Sequence, residues 1–236
     1  MKTCIITGAA TGIGRETAVE LADREDISNY VLIALGMKDL EETKALMESK
    51  AKSKKDILIY DQDITQYDAV RDIIDSVYKR FGRIDALMNI AGYAKPCPFL
   101  DIPLDMFKLT FEVNVFAMFN ITQSVVRYMK ETGGVIVNIA STSGSTPRPD
   151  WMPYAASKSA VIGFSRTLTQ EVKDFNIKVF NLSPGRCATA MRRIVQPGED
   201  QANIMKPDSV ARMIAFFVDH PDCNIDGQDI VIRQLN

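Results

Sequence analysis

Seven short apolar runs punctuate the chain: TCIITG (3–8), YVLIAL (30–35), DILIYDQD (56–63), IDALMNIAG (84–92), GVIVNIAS (134–141), IKVFNLSPG (177–185) and QDIVIRQ (228–234). They are strand-sized and rich in Val, Ile and Leu, and most are apolar at successive rather than alternate positions. That is the pattern of a strand covered on both faces. Between the runs lie stretches of helical spacing: GRETAVELADRE (14–25), Asp39 to about Lys52, YDAVRDIIDSVYKRF (67–81), Met106 to about Lys130, Tyr154 to about Asp174, and Ser209 to Val218. In 67–81 the apolar positions Val70, Ile73, Ile74 and Val77 mark one helix face. Strand and helix alternate throughout, which predicts an α/β fold with a doubly wound parallel sheet between two layers of helices. No repeat, low-complexity tract or linker interrupts the pattern, so a single domain over 1–236 is expected. The ligand crevice of such a sheet lies beyond the carboxyl ends of its strands.

Composition narrows the function classes. The chain has 236 residues, 46% hydrophobic and 25% charged, with a formal net charge of −2. Nothing in that balance points to nucleic acid or to an anionic membrane. The run KAKSKK (Lys50 to Lys55) reads as a solvated helix end and loop. Strand-like sequence starts at Lys2, and no apolar run reaches the roughly 18 residues of a membrane span, so a soluble, cytoplasmic chain is expected. Cys4, Cys97, Cys187 and Cys223 are scattered without a C-x-x-C pair, which suits a reducing compartment and argues against a zinc site. The single histidine, His220, sits in the turn-like DHPDC with no G-x-S-x-G elbow elsewhere. Hydrolase and metal readings lose their support.

Two stretches carry chemistry. TGAATGIG (7–14) joins the first strand to the first helix. Its glycines allow a tight turn and close backbone approach, and the helix that follows aims N–H groups at a phosphate. In PDWMPYAASKSAVIGF, Tyr154 and Lys158 lie one helical turn apart and share a face. A free tyrosine titrates near 10 and is a poor acid-base catalyst at neutral pH, whereas a neighbouring ammonium favours its phenolate.

With these motifs the chain resembles the short-chain dehydrogenase/reductase family in its single-domain branch, from Lys2 to about Ile232. TGAATGIG matches the family's T-G-x-x-x-G-I-G, DIT (63–65) the segment beside the adenine, and SPGRCAT its P-G-x-x-x-T segment. MNIAG resembles N-N-A-G, with Ile90 in place of the second Asn. EVNVF supplies Asn114, NIASTSG supplies Ser141, and YAASK supplies Tyr154 and Lys158. Among the clustered serines, Ser141 alone lies three residues before Gly144 and thirteen before Tyr154, the family spacing; Ser143 and Ser145 read as loop hydroxyls.

The resemblance implies a Rossmann fold and an oxidoreductase interconverting an alcohol and a carbonyl with NAD or NADP. Tyr154 would be the general acid/base. Lys158 would support it and hold the nicotinamide ribose, Ser141 would bind the substrate oxygen, and Asn114 would anchor a proton-relay water. The cofactor would lie against Gly8, Thr11, Gly12, Ile13, Gly14, Lys38, Asp63, Ile64, Asn89, Ile90, Ala91, Gly92, Pro184, Gly185, Cys187 and Thr189, as well as Tyr154 and Lys158. Leu35, Gly36 and Met37 stand where an acid would select NAD, with Lys38 and Arg15 nearby, so the reading leans to NADP; Thr11 lacks the basic character many NADP users show there.

Arg186 to Lys206 is expected to cover the pocket, and its arginines, with Arg148, admit two readings. They are solvated or paired with Glu199, Asp200 and Asp150, or Arg148 and Arg186 read a polar or anionic substrate. Trp151 is a pocket-mouth or surface residue. The Met and Phe residues of FEVNVFAMFNITQSVV belong to the core or to a homodimer or homotetramer contact. The rival function is a catalytically idle dinucleotide sensor on the same fold, against which the Asn-Ser-Tyr-Lys set argues. An extended-branch sugar-nucleotide enzyme would require a larger C-terminal region.

Overall fold

A computed structural model of the protein describes residues 1–234; the last two residues of the expected 1–236 domain lie outside the described residues. The strands are β1 (Lys2–Thr7), β2 (Ile27–Ala34), β3 (Asp56–Asp61), β4 (Ala86–Asn89), β5 (Gly134–Ile139), β6 (Ile177–Pro184) and β7 (Asp229–Ile232). All pair in parallel, in the order β3-β2-β1-β4-β5-β6-β7. The direction of winding reverses between β1 and β4, which opens the crevice beyond their carboxyl ends.

The helices are α1 (Gly12–Leu21), α2 (Met37–Lys50), α3 (Tyr67–Phe81), α4 (Leu104–Phe111), α5 (Ala117–Met129), α6 (Met152–Val172), α7 (Ala190–Val195) and α8 (Pro207–Asp219). Alternate strand residues feed two cores. Cys4, Ile6, Leu32, Val137 and Leu182 pack with α1, α2 and α8, while Ile5, Val31, Ile33, Ile136 and Val179 pack with α3 and α5. Burial on both faces explains the unbroken apolar runs.

Two local features depart from the sequence reading. The helix expected over Met106 to Lys130 begins at Leu104, and between α4 and α5 five residues, Glu112–Phe116, wind as a π turn with Asn114 at its centre. Apolar periodicity is insensitive to one widened turn. The Lys-rich run is not wholly solvated either. Lys55 is buried, and its ammonium donates to the carbonyls of Arg24 (2.6 Å) and Ile27 (2.7 Å), stapling the α1–β2 connection.

Candidate active site

The site is built from the turns that leave β1, β4, β5 and β6. Gly8, at the end of β1, has φ +67°, and a Cβ there would stand 2.8 Å from the backbone of Ala91. On Gly14 a Cβ would stand 2.1 Å from the carbonyl oxygen of Gly8. Thr11 enters α1 in an extended conformation and its hydroxyl makes no capping bond. The first N–H groups of α1 therefore have no side-chain cap, as an anion cradle requires.

A cleft of about 530 Å³ runs from this turn to α6 and α7. Gly8, Thr11, Gly12, Ile13, Gly14, Asp63, Ile64, Ile90, Ala91, Gly92, Pro184, Gly185, Cys187 and Thr189 all line it. Two expected cofactor residues do not. Lys38 is exposed on α2, outside the cleft lining. Asn89 is buried in the sheet, donating to Asn138 (2.8 Å) and Thr122 (3.0 Å). Asn89 is the last residue of β4 and sits opposite Asn138 in register, so its amide ties strands together. Ile90 lines the cleft, and its N–H, with that of Ala91, donates to the hydroxyl of Thr7.

Ser141, Tyr154 and Lys158 line the same cleft. The Lys158 ammonium is buried, donates to the Ile139 carbonyl over 2.8 Å, and lies 5.7 Å from the centre of the Tyr154 ring. Burial depresses its pKa to about 8. Burial pushes the Tyr154 phenol up instead, and the Ser141 hydroxyl, then Arg148 and Arg192, pull it back down. Both guanidinium groups thus lower the phenol's pKa, against the larger opposing influence of burial. The Ser141 hydroxyl accepts from the Ser143 N–H (3.1 Å) at the start of a short 3₁₀ turn. Asn114 stands behind this group, off the main cleft, and lines a small cavity shared with Lys158. Its amide accepts from the Tyr93 N–H (2.7 Å) and donates to the Tyr93 carbonyl (2.9 Å) and to Ser157 (2.9 Å).

The segment after β6 folds over the cleft as α7, and Thr189 caps it by accepting from the Arg192 N–H over 3.1 Å. Glu199 binds Arg192 through two bonds (2.5 and 2.8 Å) and Arg186 through one (3.3 Å), and its carboxyl is held below its ordinary range by them. Arg148 has no carboxylate partner among the described residues. It and Arg192 each approach the buried Trp151 ring at 5.7 Å, and Trp151 meets Tyr154 edge-on. The two readings of the arginines thus divide: Glu199 pairs Arg186 and Arg192, while Arg148 remains available.

The short chain dehydrogenase family model matches residues 2–200. The chain is a short-chain dehydrogenase. Among characterised relatives, this dehydrogenase is 30% identical to a 3-oxoacyl-[acyl-carrier-protein] reductase of Thermotoga maritima, over 98% of its own chain and 96% of that protein. It superposes on an NAD⁺-bound xylitol dehydrogenase with a TM-score of 0.89 at 28% identity, covering 98% and 97% of the two chains. Its fold also matches levodione reductase, with a TM-score of 0.90 at 24% identity over 98% and 96%. It is an oxidoreductase that interconverts an alcohol and a carbonyl with a nicotinamide dinucleotide. The residues present fit that group: the cradle at Gly8 and Gly14 admits no side chain, and an ammonium and a phenol share its cleft.

Several residues that shape this short-chain dehydrogenase's site carry no role in the sequence reading: Thr7 and Ser157 stand inside TGAATGIG and YAASK, and Thr43 lies outside both. Thr7 anchors the β4 loop, and Ser157 joins Asn114 to α6. Thr43 donates to the Ala9 carbonyl over 3.0 Å and so ties α2 to the glycine turn. Ser157 lies inside YAASK three residues after Tyr154, one turn along the helix, and that position was its available signal.

Proposed function

We propose that Tyr154 is the general acid/base of this oxidoreductase, with Ser141 holding the substrate oxygen and Lys158 and Asn114 supporting the proton path. The substrate is a small hydroxy or keto compound carrying an anionic group read by Arg148. The observation that carries the reading is one continuous wall. Gly8 abuts Ala91, and a Cβ on Gly92 would stand 3.7 Å from the Lys158 ammonium and 3.3 Å from the Asn114 carbonyl oxygen. The contact of the glycine turn with the β4 loop, and of that loop with Lys158 and, behind the cleft, Asn114, supports one site for dinucleotide and proton transfer.

The bound dinucleotide supplies or accepts the hydride. In carbonyl reduction, Tyr154 donates its proton to the oxygen that Ser141 orients, and in alcohol oxidation its phenolate takes that proton back. Lys158, still charged below pH about 8, favours the phenolate state left after donation. Gly92, Tyr93 and the π turn are held together through Asn114, which keeps the Lys158 side of the cleft in place.

Support for an anionic substrate comes from the charge left over. Arg186 and Arg192 share Glu199, whereas Arg148 is half-buried at the mouth without a carboxylate partner among the described residues. A guanidinium in that setting suits a carboxylate or phosphate. Leu109, Val113 and Met191 also line the cleft and offer an apolar wall for the substrate body. Phe116 and Phe119 are about half exposed along the π turn and α5 (51% and 48%), which supports a homodimer or homotetramer through this face. Four unpaired thiols, and no helix among the described residues long and apolar enough to cross a membrane, are consistent with a cytoplasmic setting.

The test is Tyr154→Phe. Turnover should fall by about 10²–10⁴ while dinucleotide affinity stays within a few-fold, because only the proton-transfer group is lost. Wild-type-like turnover in that variant would remove Tyr154 from the mechanism.

A further inference from the structure

The adenosine half of a dinucleotide in a doubly wound sheet lies off the end of the second strand, where the ribose 2′ position meets the protein. Ala34 and Leu35, at the end of β2, line the cleft here. A 2′-phosphate would require free N–H donors or cations at this corner.

The structure has engaged the N–H donors and one of the two cations. Asp61 is the last residue of β3 and sits opposite Ala34 in register. Its carboxylate accepts from the Gly36 N–H over 2.9 Å and the Met37 N–H over 3.1 Å, the donors that open α2. A second carboxylate, Asp39, reaches within 3.4 Å of where a Cβ on Gly36 would stand. Of the two nearby cations, Arg15 donates to Asp39 and Glu42 at 3.3 Å each and to the Ala10 carbonyl at 2.9 Å. Lys38 is exposed and off the cleft. Around this turn three carboxylates, Asp61, Asp39 and Glu42, stand with two cations, Arg15 already ion-paired and Lys38 exposed, and none of the five belongs to the cleft lining itself.

We infer that Asp61, supported by Asp39, makes this corner selective for a dinucleotide with a free ribose 2′-hydroxyl, NAD(H), over its 2′-phosphorylated counterpart. The inference rests on the reading of the cleft as a dinucleotide site. A 2′-hydroxyl can donate to a carboxylate, whereas a phosphate placed there meets like charge where the Gly36 and Met37 N–H groups are already engaged. The acid that discriminates comes from β3 across the strand register, while the end of β2 itself carries Leu35, Gly36 and Met37. The geometry points away from the lean to NADP drawn from Lys38 and Arg15.

The experiment is an equilibrium fluorescence titration of the full chain with NADH and NADPH separately. The wild type should bind NADH about tenfold or more tightly than NADPH, the ratio expected for one unrelieved charge repulsion. Asp61→Asn keeps an oxygen for the Gly36 N–H but removes the charge, and should tighten NADPH by about threefold to tenfold and weaken NADH by about threefold or more, so that the preference narrows. Leu35 is 67% exposed, so Leu35→Arg does not depend on repacking and should also tighten NADPH by several-fold. Equal or tighter binding of NADPH by the wild type overturns the inference, and an unchanged NADPH affinity in both variants overturns the assignment to this corner. Absence of binding by either dinucleotide overturns the cofactor reading and this inference together, an outcome the same titration distinguishes.

Discussion

The Asn114 side-chain amide donates to the Ser157 hydroxyl over 2.9 Å, and that hydroxyl donates in turn to the Tyr154 carbonyl over 2.7 Å. The π turn and the first turns of α6 are thereby linked through two buried side chains. Ser157→Ala should cost about 1 kcal/mol, since Asn114 keeps its bonds to Tyr93. Asn114→Leu strips both Tyr93 backbone groups and should cost about 2–4 kcal/mol, with a larger loss in kcat than in substrate affinity. Urea denaturation together with steady-state kinetics checks both. An Asn114→Leu variant as stable and active as the wild type would show that the link holds nothing in place.

Lys158 gives a pH signature with two opposite signs. Its pKa falls from the ordinary 10.5 to about 8 in the folded, dinucleotide-free protein. Between those values the unfolded chain binds more protons, so this group's contribution to stability rises with pH across that window. For carbonyl reduction kcat/KM should instead decline above pH about 8, as the free enzyme loses the ammonium. Denaturant titrations at several pH values, with Lys158→Met as reference, isolate the first effect, and a pH–rate profile reads the second. A kcat/KM flat to pH 10 would contradict the assignment.

Arg148→Ala should raise KM for a carboxylate- or phosphate-bearing carbonyl compound by about 10- to 100-fold, the range of a charge-assisted hydrogen bond, while a neutral analogue changes by less than about threefold. Arg186→Ala should have the smaller effect, because its guanidinium is shared with Glu199. Parallel losses for charged and neutral compounds would make Arg148 a structural residue of the mouth.

Gly14→Ala would drive a methyl group to 2.1 Å from the Gly8 carbonyl oxygen, a backbone atom that cannot step aside. The turn must then open, and dinucleotide binding should weaken by about 100-fold or more, with about 2–4 kcal/mol of stability lost. Calorimetric binding and thermal melting give the two numbers.

How much was legible in the sequence follows from which interactions are local. Apolar runs buried on both faces, separated by amphipathic helices, determined the parallel α/β sheet by themselves, because strand and helix periods are written in consecutive residues. Gly8 to Gly14 and the Tyr154–Lys158 pair could be read for the same reason: each is held within a single turn of chain. What depends on juxtaposing distant segments was decided only by the tertiary structure. The register of β2 with β3 brings Asp61 to Gly36, a carboxylate that no inspection of residues 34–39 reveals. Pairing of β4 with β5 turns the Asn89 side chain into the sheet, and folding of the segment after β6 gives Glu199 to Arg186 and Arg192 but not to Arg148. Charge and hydrogen-bond partnership act through space over a few ångströms, so residue type alone names the candidates while the packing of the sheet selects among them.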